Sequence, residues 1–359
     1  MKPSSLSLYR SPCCASEMRV IPNGVEQDGG EIISAKLQCV SCHRSYDVVD
    51  GITFLLPDQD QMGEFKKKEI GGWAKLAETS SGPDIPQSLW KGLPHLEGSN
   101  IQDESGHWAQ ASLLFPIAVA LMGSMPGKKI LEIGASVGWA SYQFSKLGAE
   151  VIASDLYAQA LKQAAVFFDE GICFERLCAD GENLPLAEET FDVVFCCAAI
   201  HHFEHPAELL REISRVLKPQ GRFIAINEAY RPLLRSESKT LRESKTTQLH
   251  LEAGIQEQVF THRQYKQFFE SAGLTFSSVH PRWDVIRDRE TIQVIKNIGL
   301  RQESFSISDT NKSTLRRLVH KMHIEKLIGQ SSLLADAMRY VLFNYTNSFR
   351  ILIGDKVRL

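Results

Sequence analysis

The chain has 359 residues, of which 43% are apolar and 23% charged, so it can bury a large core and is not compositionally disordered. Its net charge of −3 excludes a globally basic nucleic-acid-binding protein. Residues 231–359 nevertheless hold 21 Lys and Arg against 13 Asp and Glu, which indicates either a surface for anionic partners or a solvated helical face. We find no apolar stretch of transmembrane or signal-peptide type and expect a cytoplasmic protein without a transmembrane segment.

Two cysteine pairs stand out in residues 1–57, a segment of short β-prone runs that predicts a small β-rich domain. The pairs occur as SPCC at 11–14 and CVSC at 39–42. Cysteine knuckles at such a spacing are typical of zinc ribbons. The run CVSCHRSYDVVDGITFLL resembles the small zinc-ribbon activator subunit of tRNA and protein methyltransferases, and related modules fused to methyltransferases.

This resemblance implies a zinc site with one departure from the usual pattern. Ser11 replaces the first cysteine of the usual Cys-Pro-x-Cys knuckle. The implied ligands are Cys14, Cys39, Cys42 and either Cys13 or His43. The alternative is a ribbon held by its hydrophobic core without metal. Such a unit could dock substrate, dock a protein partner or brace a neighbouring domain, and the sequence leaves all three open.

Residues 58–105 are rich in charge, Gly, Ser and Pro, which predicts a linker with a short helix around Lys66–Glu78. From residue 106 onward, strand and helix patterns alternate, which indicates a parallel sheet with crossover helices. The predicted strands are Lys129–Gly134, Glu150–Ser154, Cys173–Cys178, Phe191–Cys197 and Arg222–Asn227. The predicted helices are His107–Gly123, Trp139–Leu147, Leu156–Glu170 and Pro206–Leu217.

The first of these strands runs into a glycine-containing turn, ILEIGASVG at 130–138. Asp155 closes the second strand, 21 residues after Gly134. A carboxylate there can accept both ribose hydroxyls of a nucleoside cofactor, and the alternative is a cap for the following helix. The turn lacks both the Gly-Lys-Ser/Thr of a phosphate loop and G-x-G-x-x-G, so a nucleoside cofactor without phosphates fits better.

These residues, followed by CADGENLPLAEETFDVVFCCAAIHHFEHPAELLREISRVLKPQGRF, resemble a class I S-adenosylmethionine-dependent methyltransferase of the ubiquinone and menaquinone group. The resemblance covers about residues 128–228 and implies a Rossmann-like α/β fold with a seven-stranded sheet. It places Glu132 at the amino-acid portion of the cofactor, Asp155 at its ribose and Asp180 at its adenine. The implied cofactor-binding residues are Glu132, Gly134, Ala135, Gly138, Asp155, Leu156, Asp180, Gly181, Cys197 and Ala198.

Candidate catalytic residues follow the fourth and fifth strands. His201, His202 and Glu228 could accept a proton from the acceptor, and Tyr230 is a further candidate. The alternative is that the two histidines only shape the loop over the cofactor. The superfamily tetrapeptide Asn/Asp-Pro-Pro-Tyr/Phe does not follow the fourth strand, which argues against methylation of the planar amines of bases or glutamine.

The remaining chain completes a predicted methyltransferase domain over 106–359. Residues 262–280 predict a helix and the sixth strand, and FRILIGDKV predicts the seventh. A helical insertion over about 285–345 is expected to cover the acceptor, and it includes a basic amphipathic run at 311–328. We therefore expect methyl transfer to a small-molecule or glycan or lipid-precursor acceptor. The alternatives are an RNA methyltransferase that docks through the ribbon, and a non-catalytic cofactor-binding or scaffold protein.

Overall fold

The structure is a computed structural model. It describes residues 1–57, 62–79, 85–96, 103, 106–170, 172–280, 337, 340–341, 343–345 and 350–357. Most of the predicted insertion at about 285–345, including the basic run at 311–328, lies outside the described residues.

Five predicted α-helices form within a few residues of their expected bounds, one is shorter, and two further helices at Glu237–Glu243 and Lys245–Ala253 were not predicted. The helix predicted over Leu156–Glu170 is shorter, because a 3-10 segment at Ala164–Glu170 replaces its second half. The helices are α1 (Glu64–Thr79), α2 (His107–Met122), α3 (Trp139–Lys146), α4 (Ala158–Gln163), α5 (Pro206–Val216), α6 (Glu237–Glu243), α7 (Lys245–Ala253) and α8 (His262–Ser271). None of them is both long and apolar enough to cross a bilayer.

The described strands form one sheet in the order β1-β2-β3-β4-β7-β6-β5-β8-β9-β11-β10. They are β1 (Met18–Asp28), β2 (Glu31–Cys39), β3 (Ser45–Val49), β4 (Ile52–Leu55), β5 (Lys129–Ile133), β6 (Glu150–Asp155), β7 (Glu175–Ala179), β8 (Phe191–Cys197), β9 (Leu217–Ile226), β10 (Ser277–Val279) and β11 (Ile351–Asp355). Strands β4 to β9 pair with one another in parallel, whereas β4 is antiparallel to β3 and β9 is antiparallel to β11. α5 ends at Val216 and β9 begins at Leu217, so the Lys218–Gly221 stretch belongs to this strand.

The expectation of a seven-stranded sheet does not describe the whole sheet, which has eleven strands in the described part of the chain. The reason is the N-terminal unit, whose β4 pairs in parallel with β7 from Ile52↔Arg176 to Leu55↔Ala179. The chain start reinforces this junction, because the backbone N–H of Lys2 donates to Glu175 at 2.7 Å. Residues 1–57 therefore extend the central sheet instead of forming a separate lobe.

The core lies on both faces of the sheet, as expected for parallel strands covered by helices. On one face, the rings of Phe115 in α2, Phe144 in α3 and Phe195 in β8 lie with their centroids 5.1–5.9 Å apart. On the other face, Phe223 in β9 stacks on Phe269 in α8 at 5.3 Å. This packing fixes the carboxyl ends of β5 to β9, which open at one edge of the sheet.

Candidate cofactor and acceptor site

A cavity of about 530 Å³ lies at the carboxyl ends of the parallel strands β5 to β8. Crevices at this position are where open α/β sheets bind ligands. The predicted cofactor-binding residues line it together with His201, His202 and Glu228, with the exception of Gly138. Gly138 instead caps α3 with a φ of +79°, and a Cβ there would come within 2.8 Å of the Phe174 ring. Close packing against Phe174 therefore explains why this position is a glycine.

The turn after β5 and the carboxylate after β6 are joined directly. The backbone N–H of Ser136 donates to Oδ2 of Asp155 at 2.7 Å, and that of Tyr157 donates to Oδ1 at 2.8 Å. The capping residue of α4 is Tyr157 and not Asp155, so the capping alternative for Asp155 does not hold. Burial raises the pKa of Asp155. Each of its oxygens can accept a further hydrogen bond from a ligand in the cavity.

Gly134 needs to be glycine for two reasons. Its φ is +66°, in the left-handed region that residues with a Cβ adopt at a cost. A Cβ at this position would also lie 2.8 Å from the Cβ of Ala199. The turn is therefore held tightly between β5 and the loop after β8, and it exposes backbone to the cavity.

Glu132 is a buried carboxyl at the end of β5. Its Oε2 accepts hydrogen bonds from the backbone N–H of Ser141, at 2.8 Å, and from the Ser141 hydroxyl. Burial nevertheless dominates and raises the pKa of Glu132 to about 8. At neutral pH the carboxyl therefore tends to keep its proton until a cation approaches it.

The predicted adenine contact, Asp180, is paired within the chain. Lys66 of α1 makes an ion pair with Asp180 and a second one with Glu182 at 2.8 Å. Gly181 lies between these two acids, and a Cβ there would come within 2.6 Å of the Phe203 ring. The helix expected within a linker thus forms a wall of the cavity.

The remaining predicted cofactor contacts are small or apolar. Leu156 follows β6 and Ala135 lies in the turn after β5, while Cys197 and Ala198 lie where β8 ends, Ala198 with a φ of +52°. Burial raises the pKa of Cys197 well above its ordinary value. Its thiol is therefore neutral and serves as a small wall residue.

The acceptor end of the cavity holds a histidine–glutamate pair that the sequence predicted as separate residues. Nδ1 of His201 lies 2.8 Å from Oε2 of Glu228. The other oxygen of Glu228 accepts the backbone N–H groups of Ala199 at 3.0 Å and Ile200 at 3.1 Å. Burial opposes ionisation of Glu228, but these hydrogen bonds and the charge of His201 lower its pKa.

His202 contacts a second group of residues that the sequence reasoning missed. Its Nδ1 lies 2.9 Å from the Gln256 carbonyl and 3.3 Å from Oε1 of Glu69 in α1. Burial disfavours its charged form, but Glu69 and Glu257 together raise the pKa of His202 to about 9. Tyr230 also lines the cavity, beneath the Arg350 guanidinium at 3.7 Å.

Glu257 completes this end of the cavity. Nδ1 of His250 in α7 lies 2.5 Å from its Oε1, and Nε2 of His201 lies 3.9 Å from its Oε2. Burial raises the pKa of this carboxyl, but His250, His201 and His202 outweigh it and lower the pKa to about 2. The segment TQLHLEAGIQEQVF contains both His250 and Glu257, but no regular spacing of acids and histidines marks them as a pair.

The four N-terminal cysteines lie together at one end of the eleven-stranded sheet. The Sγ atoms of Cys13 and Cys42 are 3.0 Å apart, and those of Cys14 and Cys39 are 3.4 Å apart. The backbone N–H of Cys42 donates to Sγ of Cys39 at 3.5 Å. Ser11 is buried, and its hydroxyl lies beside Sγ of Cys13. Cys13 therefore belongs to the cysteine cluster, and Ser11 lies next to it.

A model of the methyltransferase domain family matches residues 131–225. This part of the chain is a methyltransferase domain. The match confirms the predicted class I, S-adenosylmethionine-dependent type of domain. It begins at Leu131 in β5 and ends at Ala225 in β9, so it contains the glycine turn, Asp155 and the histidine loop.

Two curated relatives match the same region. The uncharacterized methyltransferase YcgJ of Bacillus subtilis is 33% identical over 103 residues, which are 28% of this chain and 40% of the relative. The demethylmenaquinone methyltransferase of Corynebacterium kroppenstedtii is 35% identical over 97 residues, which are 27% of this chain and 40% of the relative. The matched segments thus span less than half of either relative.

Two solved structures are similar at lower identity. The crystal structure of YcgJ is 23% identical with a TM-score of 0.42, covering 69% of this chain and 99% of that one. A complex of the Haloferax volcanii Trm112 methyltransferase activator with a methyltransferase is 16% identical with a TM-score of 0.47, covering 80% of this chain and 98% of that one.

Proposed function

We propose that the protein transfers a methyl group from S-adenosylmethionine to a small-molecule, glycan-precursor or lipid-precursor acceptor. The observation that carries this proposal is one continuous cavity that joins the glycine turn and Asp155 to His201 and Glu228. The matched relatives include methyltransferases of ubiquinone and menaquinone biosynthesis, which supports a small aromatic or lipid-like acceptor. The match to a methyltransferase domain model favours an enzyme over the scaffold alternative.

The residues at the cofactor end fit the proposed cofactor. Asp155 presents two carboxylate oxygens for ribose hydroxyls, and the turn at Gly134 and Ala135 allows close approach of a ligand. Glu132 offers a buried carboxyl for the ammonium of the amino-acid portion. When bound, S-adenosylmethionine supplies a methyl group on a positively charged sulfur, which is a strong electrophile. The chain mainly has to align the acceptor with that group.

His201 and Glu228 supply the proton acceptor in this proposal. Because Nδ1 of His201 faces the Glu228 carboxylate, Nδ1 carries the hydrogen and Nε2 keeps its lone pair. Nε2 can then accept the proton of an acceptor O–H or N–H group. Glu228 stabilises the resulting imidazolium, and His202 holds the loop between β8 and α5 against α1.

The charge of the cavity wall disfavours RNA as the acceptor. The described wall contains two cationic side chains, Lys66 and Arg350, against a larger set of acids. Those acids are Glu69, Glu132, Asp155, Asp180, Glu204, Glu228 and Glu257. A polyanion binds to proteins through an excess of Lys and Arg. A neutral or cationic acceptor fits this wall better.

The proposal is tested by calorimetric titration with S-adenosylmethionine and S-adenosylhomocysteine, using wild type, Asp155→Asn and Asp192→Asn. Asp192 is a matched control, because it pairs with Lys218 at the opposite end of the sheet. We expect wild type and Asp192→Asn to bind alike. Asp155→Asn should bind about 10–100-fold more weakly, the equivalent of a hydrogen bond to a charged group. No binding by folded wild type would overturn the proposal.

We further propose that Cys13, Cys14, Cys39 and Cys42 bind zinc. Their Sγ atoms form pairs at 3.0 and 3.4 Å, and those of Cys13, Cys14 and Cys42 all lie within 4.8 Å of one another, so small adjustments would bring the four thiols into a tetrahedral donor set. Zinc would stabilise the unit whose β4 braces β7, so bracing is its favoured role. A protein partner bound through this unit stays a prediction. Metal analysis of purified protein should find zinc that Cys42→Ser loses and Cys173→Ser retains, because Cys173 lies apart from the cluster. Equal zinc in both variants would contradict this assignment.

A further inference from the structure

We propose that His201, His202 and Glu257 bind a divalent transition-metal cation at the acceptor end of the cavity. One ligand atom from each of the three lies within 4.8 Å of the others. Among the described residues they form the one such group that faces the cavity, since the other group is the cysteine cluster.

The spacing within this group suits a shared cation better than direct hydrogen bonds. Nε2 of His201 and Oε2 of Glu257 are 3.9 Å apart, beyond the range of about 2.7–3.2 Å for a hydrogen bond. Bonds of about 2.0–2.2 Å from each atom to one metal ion would span that gap with small side-chain adjustments.

Each of the three residues is oriented by an outer partner. Glu228 accepts from Nδ1 of His201, and the Gln256 carbonyl accepts from Nδ1 of His202. In both rings this leaves Nε2 as the nitrogen available for a metal. His250 holds the other oxygen of Glu257. Metal-binding histidines and carboxylates are typically fixed by such hydrogen bonds, which set the tautomer and the ring orientation.

The charge of the surroundings also favours a cation. The carboxylates of Glu69, Glu228 and Glu257 have side chains that are at most 9% exposed. With neutral imidazoles, these three acids leave three buried negative charges, which a divalent cation would largely offset.

Two imidazoles and one carboxylate form a donor set that leaves coordination positions open. Those positions face the cavity, where an oxygen of the acceptor can enter. This role rests on the proposed function, whereas cation binding itself does not. With the cation bound, Nε2 of His201 is a ligand, and the metal lowers the pKa of the acceptor hydroxyl in its place. The hydroxyl proton then leaves to solvent.

The test is titration of the full chain with Mn²⁺ and Co²⁺, followed by calorimetry and by electronic spectra. Thiolate ligands give Co²⁺ sulfur-to-metal charge-transfer bands, so the spectra separate the cysteine cluster from a nitrogen and oxygen site. The variants are Glu257→Gln and His202→Gln. His205→Gln is the matched control, since His205 lies in the same loop, is exposed and does not line the cavity.

We expect wild type and His205→Gln to bind one Mn²⁺ at this site, and Glu257→Gln and His202→Gln to bind it at least about tenfold more weakly. Unchanged affinity in folded variants would overturn the proposal. If a variant does not fold, pulsed electron paramagnetic resonance of Mn²⁺-loaded wild type tests the site directly. Two imidazole nitrogens bound to Mn²⁺ should modulate the signal. Their absence, or no Mn²⁺ binding at all, would refute the site. Binding of S-adenosylmethionine measured on the same samples keeps this outcome separate from that of the proposed function.

Discussion

The two ends of the cavity hold their buried carboxyl groups in opposite states. At the cofactor end, burial raises the pKa of Glu132 to about 8 and also raises that of Asp155. At the acceptor end, hydrogen bonds and neighbouring histidines overcome burial and lower the pKa values of Glu228 and Glu257. Burial thus prevails at Glu132 and Asp155, whereas hydrogen bonds and neighbouring histidines outweigh it at Glu228 and Glu257.

This difference matches what each end is proposed to bind. An uncompensated carboxyl gains most from a ligand that brings a positive charge, and the proposed cofactor carries a sulfonium and an ammonium. Histidines that face carboxylates can take up a proton from an acceptor or bind a metal ion. The predictions that follow alter one end or one wall of the cavity and ask whether the other end responds.

The largest effect is expected for Gly134→Ala, at the cofactor end. The new methyl group would lie 2.8 Å from the Cβ of Ala199 at a φ of +66°, and such strain costs about 1–3 kcal/mol. We expect binding of S-adenosylmethionine to weaken by about 10–100-fold. Gly148→Ala is the matched control, because Gly148 also has a positive φ, +88°, but lies outside the cavity. Gly148→Ala should be less stable than wild type but should bind S-adenosylmethionine with unchanged affinity. Equal losses of affinity in the two variants would contradict the assignment of Gly134 to the cofactor site.

The second prediction concerns the pH dependence of stability in Glu132→Gln. Between its ordinary pKa of 4.5 and about 8, the folded wild type keeps a proton on Glu132 that the unfolded chain has lost. Wild-type stability should therefore fall across this interval as pH rises, by up to about 1.4 kcal/mol per pH unit. Gln cannot ionise, so the variant should lack this component. Urea unfolding from pH 4.5 to 9 should show two curves that diverge as pH rises, and parallel curves would refute the raised pKa.

The cofactor end could be predicted from sequence because its contacts are local. The hydrogen bond from Ser136 to Asp155 joins residues 19 positions apart in the sequence, and the one from Ser141 to Glu132 joins residues 9 positions apart. One strand–turn–helix unit and the next strand contain all of this geometry, and the same residues carry the family resemblance. The parallel pairing of the strands followed from the same alternation of strand and helix, whereas the order of the strands was not predicted.

The contacts made by α1 and the extra strands could not be predicted in this way. Glu69 accepts a hydrogen bond from the backbone N–H of Gln256, 187 residues away in the sequence. Lys66 pairs with Asp180, 114 residues away. The charge, Gly, Ser and Pro content of residues 58–105 favoured a linker, and nothing local showed that α1 packs over the cavity. The pairing of β4 with β7 likewise depends on two edges that are distant in sequence.

The third prediction tests whether α1 packs closely as a wall of the cavity. A Cβ on Gly72 would lie 2.6 Å from the backbone nitrogen of Ile255. Gly72→Ala should therefore push α1 away from the loop that holds Gln256 and cost about 1–3 kcal/mol of stability. Chemical denaturation measures this loss. A stability equal to or above that of wild type would show that α1 does not pack against this loop.

The fourth prediction distinguishes the ion pairs that hold α1 at the cavity from the exposed charges of the same helix. Lys66→Met removes the ion pairs with Asp180 and Glu182, leaving two acids unpaired and α1 less firmly held over the adenine edge. We expect cofactor affinity to fall by about 3–10-fold. Lys67→Met is the control, since Lys67 is exposed and pairs with Glu64 within α1. Tighter binding by Lys66→Met would show instead that Lys66 competes with the cofactor for Asp180.

The smallest effect is expected for Gly71→Ala, one position before Gly72. A Cβ at Gly71 meets nothing within 4 Å and the residue is exposed, so alanine only improves helix propensity, by about 0.5–1 kcal/mol. Thermal unfolding should shift upward slightly, and the affinity for S-adenosylmethionine should not change. A gain of stability in Gly71→Ala together with a loss in Gly72→Ala would show that α1 contacts the loop through Gly72 and not through its neighbour. A destabilised Gly71→Ala would mean that α1 turns a different face to the cavity, and the contacts of Lys66 and Glu69 would then have to be reassigned.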